Sequence, residues 1–106
     1  MSLREEDRQV LEQLAANGDN PSIPRPVMHI FYGAREPIEE VAGRLEAAGW
    51  VDLELGEGEM DFQLVATKTW DLREPTVEMM MAEVEQAMAD LDLDYDGWET
   101  SVEQPH

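Results

Sequence analysis

The side chains whose types and spacing could do chemistry gather in one stretch, Asp92-Leu93-Asp94-Tyr95-Asp96-Gly97-Trp98-Glu99-Thr100-Ser101-Val102-Glu103. Asp92, Asp94, Asp96, Gly97 and Glu103 stand at the spacings of the EF-hand calcium loop, a flexible shell of oxygen ligands closed by a Glu in the twelfth place. Two features oppose that chemistry. The eighth place, normally aliphatic, is Glu99, and only Gln104-Pro105-His106 follow where an exiting helix is needed. The same residues also read as an aromatic-rich strand, with Tyr95, Trp98 and Val102 closing a sheet against helices. Taken alone, the stretch leaves both readings open.

Elsewhere the candidates are few. His29 lies inside an apolar run, as a general base or a switch near neutral pH, or as a half-buried histidine hydrogen-bonded to a neighbour. The other histidine is the terminal His106, so a two-His metal site needs the tail to fold back. No Ser-His-Asp spacing, Gly-rich phosphate loop or HExxH occurs. We therefore expect no catalytic residues, no bound metal and no cofactor. In Met79-Met80-Met81, about 100° per residue aligns Met81 with Val77 and Val84 and points Met79 the other way, where a polarizable side chain suits a protein contact.

The net charge of −18 narrows the partners. From Glu74 to His106 there are ten Asp and Glu and no Lys or Arg. Such a field repels phosphate backbones and anionic lipid, so neither direct nucleic-acid binding nor membrane binding is expected. Basic proteins and cations are what it attracts. No run approaches the ~18 apolar residues of a membrane span. The first residues are charged where a signal peptide is apolar, and cysteine is absent. We expect a cytoplasmic protein.

These residues need a scaffold, and the hydrophobic pattern supplies one within a single domain, 1–106. Ser2-Leu3-Arg4-Glu5 fits a capping box, opening a leading helix (1–17) with Leu3, Val10, Leu11 and Leu14 on one stripe and Gly18 as terminator. Its doubly charged first turn is expected to fray. A loop follows to Pro26. Val27–Tyr32 reads as a strand, and Pro37 opens a helix burying Ile38, Val41, Ala42, Leu45 and Ala48. Trp50–Leu55 follows as a strand with Val51, Leu53 and Leu55 facing in. Gly56-Glu57-Gly58 turns it into a third strand, Met60 to Thr69. Pro75 sits near the start of a helix with Val77, Met81, Val84, Met88 and Leu91 on its apolar face, and the last strand covers Asp94 to Val102. The order over 27–102 is βαββαβ, the α+β, ferredoxin-like split βαβ arrangement. It predicts an antiparallel sheet in order 4-1-3-2 with an additional N-terminal helix, which must bury Leu11 and Leu14 at the sheet edge or on its open face.

Tyr95-Asp96-Gly97-Trp98 followed by Thr100 resembles the family of the regulator of ribonuclease activity B, protein inhibitors of ribonuclease E. Asn17-Gly18-Asp19, Pro24-Arg25, His29 with Tyr32, and Ala47-Ala48-Gly49 resemble it too, so the likeness runs from about Gln9 to Glu103. Better-known members carry a long acidic C-terminal tail, whereas this sequence ends at His106. The resemblance implies a ferredoxin-like fold with an added N-terminal helix, and a non-enzymatic regulator that binds the endoribonuclease and lowers its cleavage of RNA. It also implies that Tyr95–Trp98 is strand rather than calcium loop, with Gly97 a bulge placing Tyr95 and Trp98 on one face. The residues expected at a partner contact are Asp92, Asp94, Asp96, Trp98, Glu99 and Met79. The rival expectation is a module of the same fold for another basic protein or a small ligand, with Val27, Phe31 and Val65 lining the open face.

Overall fold

A computed structural model describes residues 5–59 and 61–104. The capping box at Ser2, the stripe residue Leu3, the strand start at Met60 and the terminal His106 lie outside the described residues. The elements run α1 (Glu5–Ala16), β1 (Arg25–Gly33), α2 (Arg35–Ala47), β2 (Asp52–Glu57), β3 (Phe62–Trp70), α3 (Glu74–Met88) and β4 (Leu93–Thr100). The four strands form one antiparallel sheet in the order β2-β3-β1-β4, the 4-1-3-2 order expected. Among the described residues no helix is long and apolar enough to cross a membrane.

All three helices lie on one face of this sheet. Alternation along β1 sets that face: Val27, His29 and Phe31 are buried, whereas Pro26, Met28, Ile30 and Tyr32 are exposed or half-buried. Leu64 and Ala66 of β3 complete the covered side, under Ile38, Val41, Ala42 and Leu45 of α2 and Val77, Met80, Met81 and Val84 of α3. Each Val, Leu, Ile or Met among them contributes about 2 kcal/mol when fully buried. By that measure α1 is the most weakly held helix, since Leu14 is its one buried apolar residue and Val10 and Leu11 pack only partly. It sits on the covered side rather than the open one: Asp7 bonds Trp98 of β4, and Arg8 reaches Glu74 at the start of α3.

Several local expectations are corrected. β1 starts at Arg25 rather than Val27, because Pro26 stands near a strand start, where a missing N–H is tolerated. Ala48 is exposed. α2 ends there, and the Trp50 N–H returns to the Leu45 carbonyl at 3.0 Å, which turns the indole into the core. Trp50 thereby takes the burial expected of Val51, which is 92% exposed just before the edge strand begins. Leu55 does face the helical side but lies beyond the cover of α2, in a groove with Arg35, Ile38 and Phe62. Gly56 and Glu57 stay in β2. The hairpin turn is closed by the Gly58 N–H on the Asp61 carbonyl at 2.7 Å. β4 ends at Thr100 rather than Val102.

Candidate functional site

The covered face holds polar groups, and most are engaged internally, although Asp7 Oδ2, His29 Nε2 and Trp70 Nε1 are buried without a hydrogen-bond partner among the described residues. His29 is fully buried, with its Nδ1 2.7 Å from the Tyr95 hydroxyl and its ring edge-on to Trp50. Burial pushes its pKa down to about 4, because the charged form would lose its hydration. It is therefore a neutral core histidine and not a switch near neutral pH. The Trp50 indole N–H donates to Glu83 Oε1 at 2.9 Å, and Lys68 reaches the same carboxylate while lying 4.6 Å over the Trp70 ring.

A second buried set ties the chain ends together. The last turn of α1 closes with Gly18 at a φ of 86°, a left-handed conformation suited to glycine. That turn delivers Asp19 to Arg25, whose side chain is wholly buried. The Arg25 guanidinium also donates to the carbonyls of Asn20, Ile23 and Ser101, and Asp19 accepts the Glu103 N–H at 2.8 Å. The loop after α1, the start of β1 and the segment after β4 thus share one buried ion pair. Asn17-Gly18-Asp19 and Pro24-Arg25, two of the stretches that carry the resemblance, are parts of this clamp.

The middle of the twelve-residue acidic stretch, Leu93–Thr100, is strand. Phe31 stands opposite Tyr95 and His29 opposite Trp98, so Ile30 faces both Asp96 and Gly97, a bulge that Gly97 takes at a φ of 96°. Extra length at that point brings Tyr95 and Trp98 to the same, covered side. An extended backbone cannot wrap its alternate carboxylates around one ion, and no group of three or more metal-ligating side chains occurs among the described residues. Trp98 is only 7% exposed, and its indole N–H donates to Asp7 Oδ1 at 2.9 Å. It therefore anchors α1 and offers no surface to a partner. Asp7, placed in a turn expected to fray, is buried by the same bond.

Asp92, Asp94, Asp96 and Glu99 are all exposed. Met79 is 57% exposed, but on α3, across the molecule from the open face that Asp94 and Glu99 share. The two parts of the expected contact are not brought together. What the open face does bring together is a set of rows running across the sheet. Asp52, Thr67, Met28 and Glu99 form one row, and Glu54, Val65, Ile30 and Asp96 the next. Gly56, Gln63, Tyr32 and Asp94 form the third. The middle of each row is apolar or neutral, and carboxylates stand at one or both ends. A concavity of about 590 Å³ lies here, floored by Pro26, Met28, Val65 and Thr67 and bordered by Asp52, Glu54 and Glu99.

Among the described residues the open face also lacks any counter-charge. Arg8, Arg25, Arg35, Arg44, Lys68 and Arg73 each pair with a carboxylate, namely Glu74, Asp19, Glu39, Glu40, Glu83 and Asp71. None of these six cations reaches Asp52, Glu54, Asp94, Asp96 or Glu99. Val27 and Phe31, expected on this face, are fully buried on the other one, so of the three apolar residues expected here only Val65 lines the concavity. Asp52 and Glu54 are the site residues that sequence reasoning missed. Their signal was present in the outward positions of β2, but it needed the sheet order to place them opposite β4.

The family model described as Regulator of ribonuclease activity B matches residues 4–100. No curated protein matches the chain.

Proposed function

Because the chain belongs to the Regulator of ribonuclease activity B family, we propose that it binds ribonuclease E or a related RNA-processing enzyme in the cytoplasm and lowers its cleavage of RNA. It acts as a binding protein with no catalytic residues of its own. The observation that carries this reading is the set of exposed carboxylates at Asp52, Glu54, Asp94, Asp96 and Glu99, which no described cation neutralises. An RNA-binding enzyme must present basic segments to its substrate. An acidic surface competes for those segments, and mutual attraction speeds the encounter.

The test is co-precipitation with purified ribonuclease E, paired with an RNA-cleavage assay at low salt. The protein is expected to bind and to slow cleavage. Binding should weaken as salt approaches about 1 M, where charges are screened beyond roughly 3 Å. No binding at low salt, where the attraction is strongest, contradicts the reading.

A further inference from the structure

The three rows of the open face define more than a charged surface. Asp52 and Glu54 stand along β2, and Asp94, Asp96 and Glu99 along β4. Between them lie Met28, Ile30 and Tyr32 of β1 and Gln63, Val65 and Thr67 of β3, in a neutral strip parallel to the strands. The two acidic edges are three strand spacings apart, about 14 Å. An α-helix with its side chains is roughly 10–12 Å across. Three rows two residues apart extend about 13 Å along the strands, the rise of roughly nine helical residues.

We propose that this trough seats a basic amphipathic helix of the partner. The helix lies along the strands with its apolar stripe on Met28, Ile30 and Val65, and its Lys or Arg flanks reach Asp52 and Glu54 on one side and Asp94 and Glu99 on the other. This deepens the ribonuclease reading and rests on it for the identity of the partner. Charge decides the occupant. A second copy of this chain would bring the same acidic edges against each other, and a nucleic acid would bring phosphates to them. A purely apolar helix would leave both rows of carboxylates unpaired against it.

The experiment is calorimetric titration of the whole protein, at low salt, with a synthetic helical peptide carrying a Leu stripe flanked by Lys. The same composition scrambled to destroy the stripe serves as comparison. Binding is expected, with a loss of about tenfold on scrambling. A similar loss is expected in the Asp52→Lys/Glu99→Lys variant, whose circular dichroism and melting should match the parent. Glu46→Lys/Glu85→Lys, on the helical layer, should change affinity less than about twofold. No binding of the peptide, stripe-independent binding, or an equal loss from the helical-layer variant overturns the trough. Running both variants against ribonuclease E separates the two proposals. If ribonuclease E binds the Asp52→Lys/Glu99→Lys protein undiminished, the trough falls and the ribonuclease reading stands. If the peptide is held in the trough but ribonuclease E is not held at all, the ribonuclease reading falls and the trough stands.

Discussion

The two faces of this sheet are built from alternate residues of the same four strands, and they treat polar side chains in opposite ways. On the covered face His29 meets Tyr95, Trp50 meets Glu83 and Trp98 meets Asp7, while Arg25 meets Asp19 at the sheet end. Groups that could do chemistry are there locked inside the fold. On the open face the carboxylates of Asp52, Glu54, Asp94 and Glu99 border a neutral strip and face solvent without a cation among the described residues. Desolvation explains the division. A buried polar group must be partnered or it costs a few kcal/mol, so interior chemistry is consumed by structure. In a protein of a regulator family, the uncompensated charge of the open face, rather than the most perturbed titratable group, is therefore the proposed seat of function.

That contrast can be broken from either side. The largest expected effect is on the covered side. Arg25→Ala leaves Asp19 buried without its cation and should destabilise the fold by about 3–5 kcal/mol, read by urea unfolding at neutral pH. Next comes pH. His29 has a native pKa near 4 against an ordinary value of 6.5, so the unfolded chain binds the extra proton first. Its contribution is complete above about pH 6.5 and is lost as pH falls towards 4, amounting to about 3 kcal/mol. Unfolding curves of parent and His29→Gln across that window should converge at the acid end, and parallel curves would show that His29 is not held neutral.

A smaller loss, about 1–3 kcal/mol, is expected for Asp7→Ala, which strands the buried Trp98 N–H. Hydrogen exchange should report it first as loosening of α1. Smallest of all, Asp52→Lys/Glu99→Lys should change stability by no more than about 0.5 kcal/mol, because neither side chain has a partner to lose. A marked destabilisation by that variant would mean that the open face is structural after all.

Much of this architecture was legible in the sequence because local rules and the global fold agree. Pro37 and Pro75 stand in the first turns of α2 and α3, Met79 points outward, and Gly97 marks the bulge. What stayed hidden was set by contacts distant in sequence. Both alternating sets of β1 are apolar enough to be core, and the set containing His29 is the covered one, with Tyr95 as its partner 66 residues away. Asp7 gives no periodic sign of burial, since its partner Trp98 is 91 residues on. Val51 fits the inward alternation of its strand, yet the tight end of α2 sends Trp50 inward instead. For the candidate site, the acidic end of the chain was readable as composition. Its alignment with Asp52 and Glu54 across the sheet required the register.

We propose that function resides on the uncovered face. The most direct test is hydrogen exchange of the whole protein with and without ribonuclease E at low salt. Added protection should appear in β2 and β4 and in the adjoining parts of β1 and β3, with α2 and the outer side of α3 unchanged. Protection confined to α2 and α3, around Met79, would contradict the claim and move the partner to the helical layer.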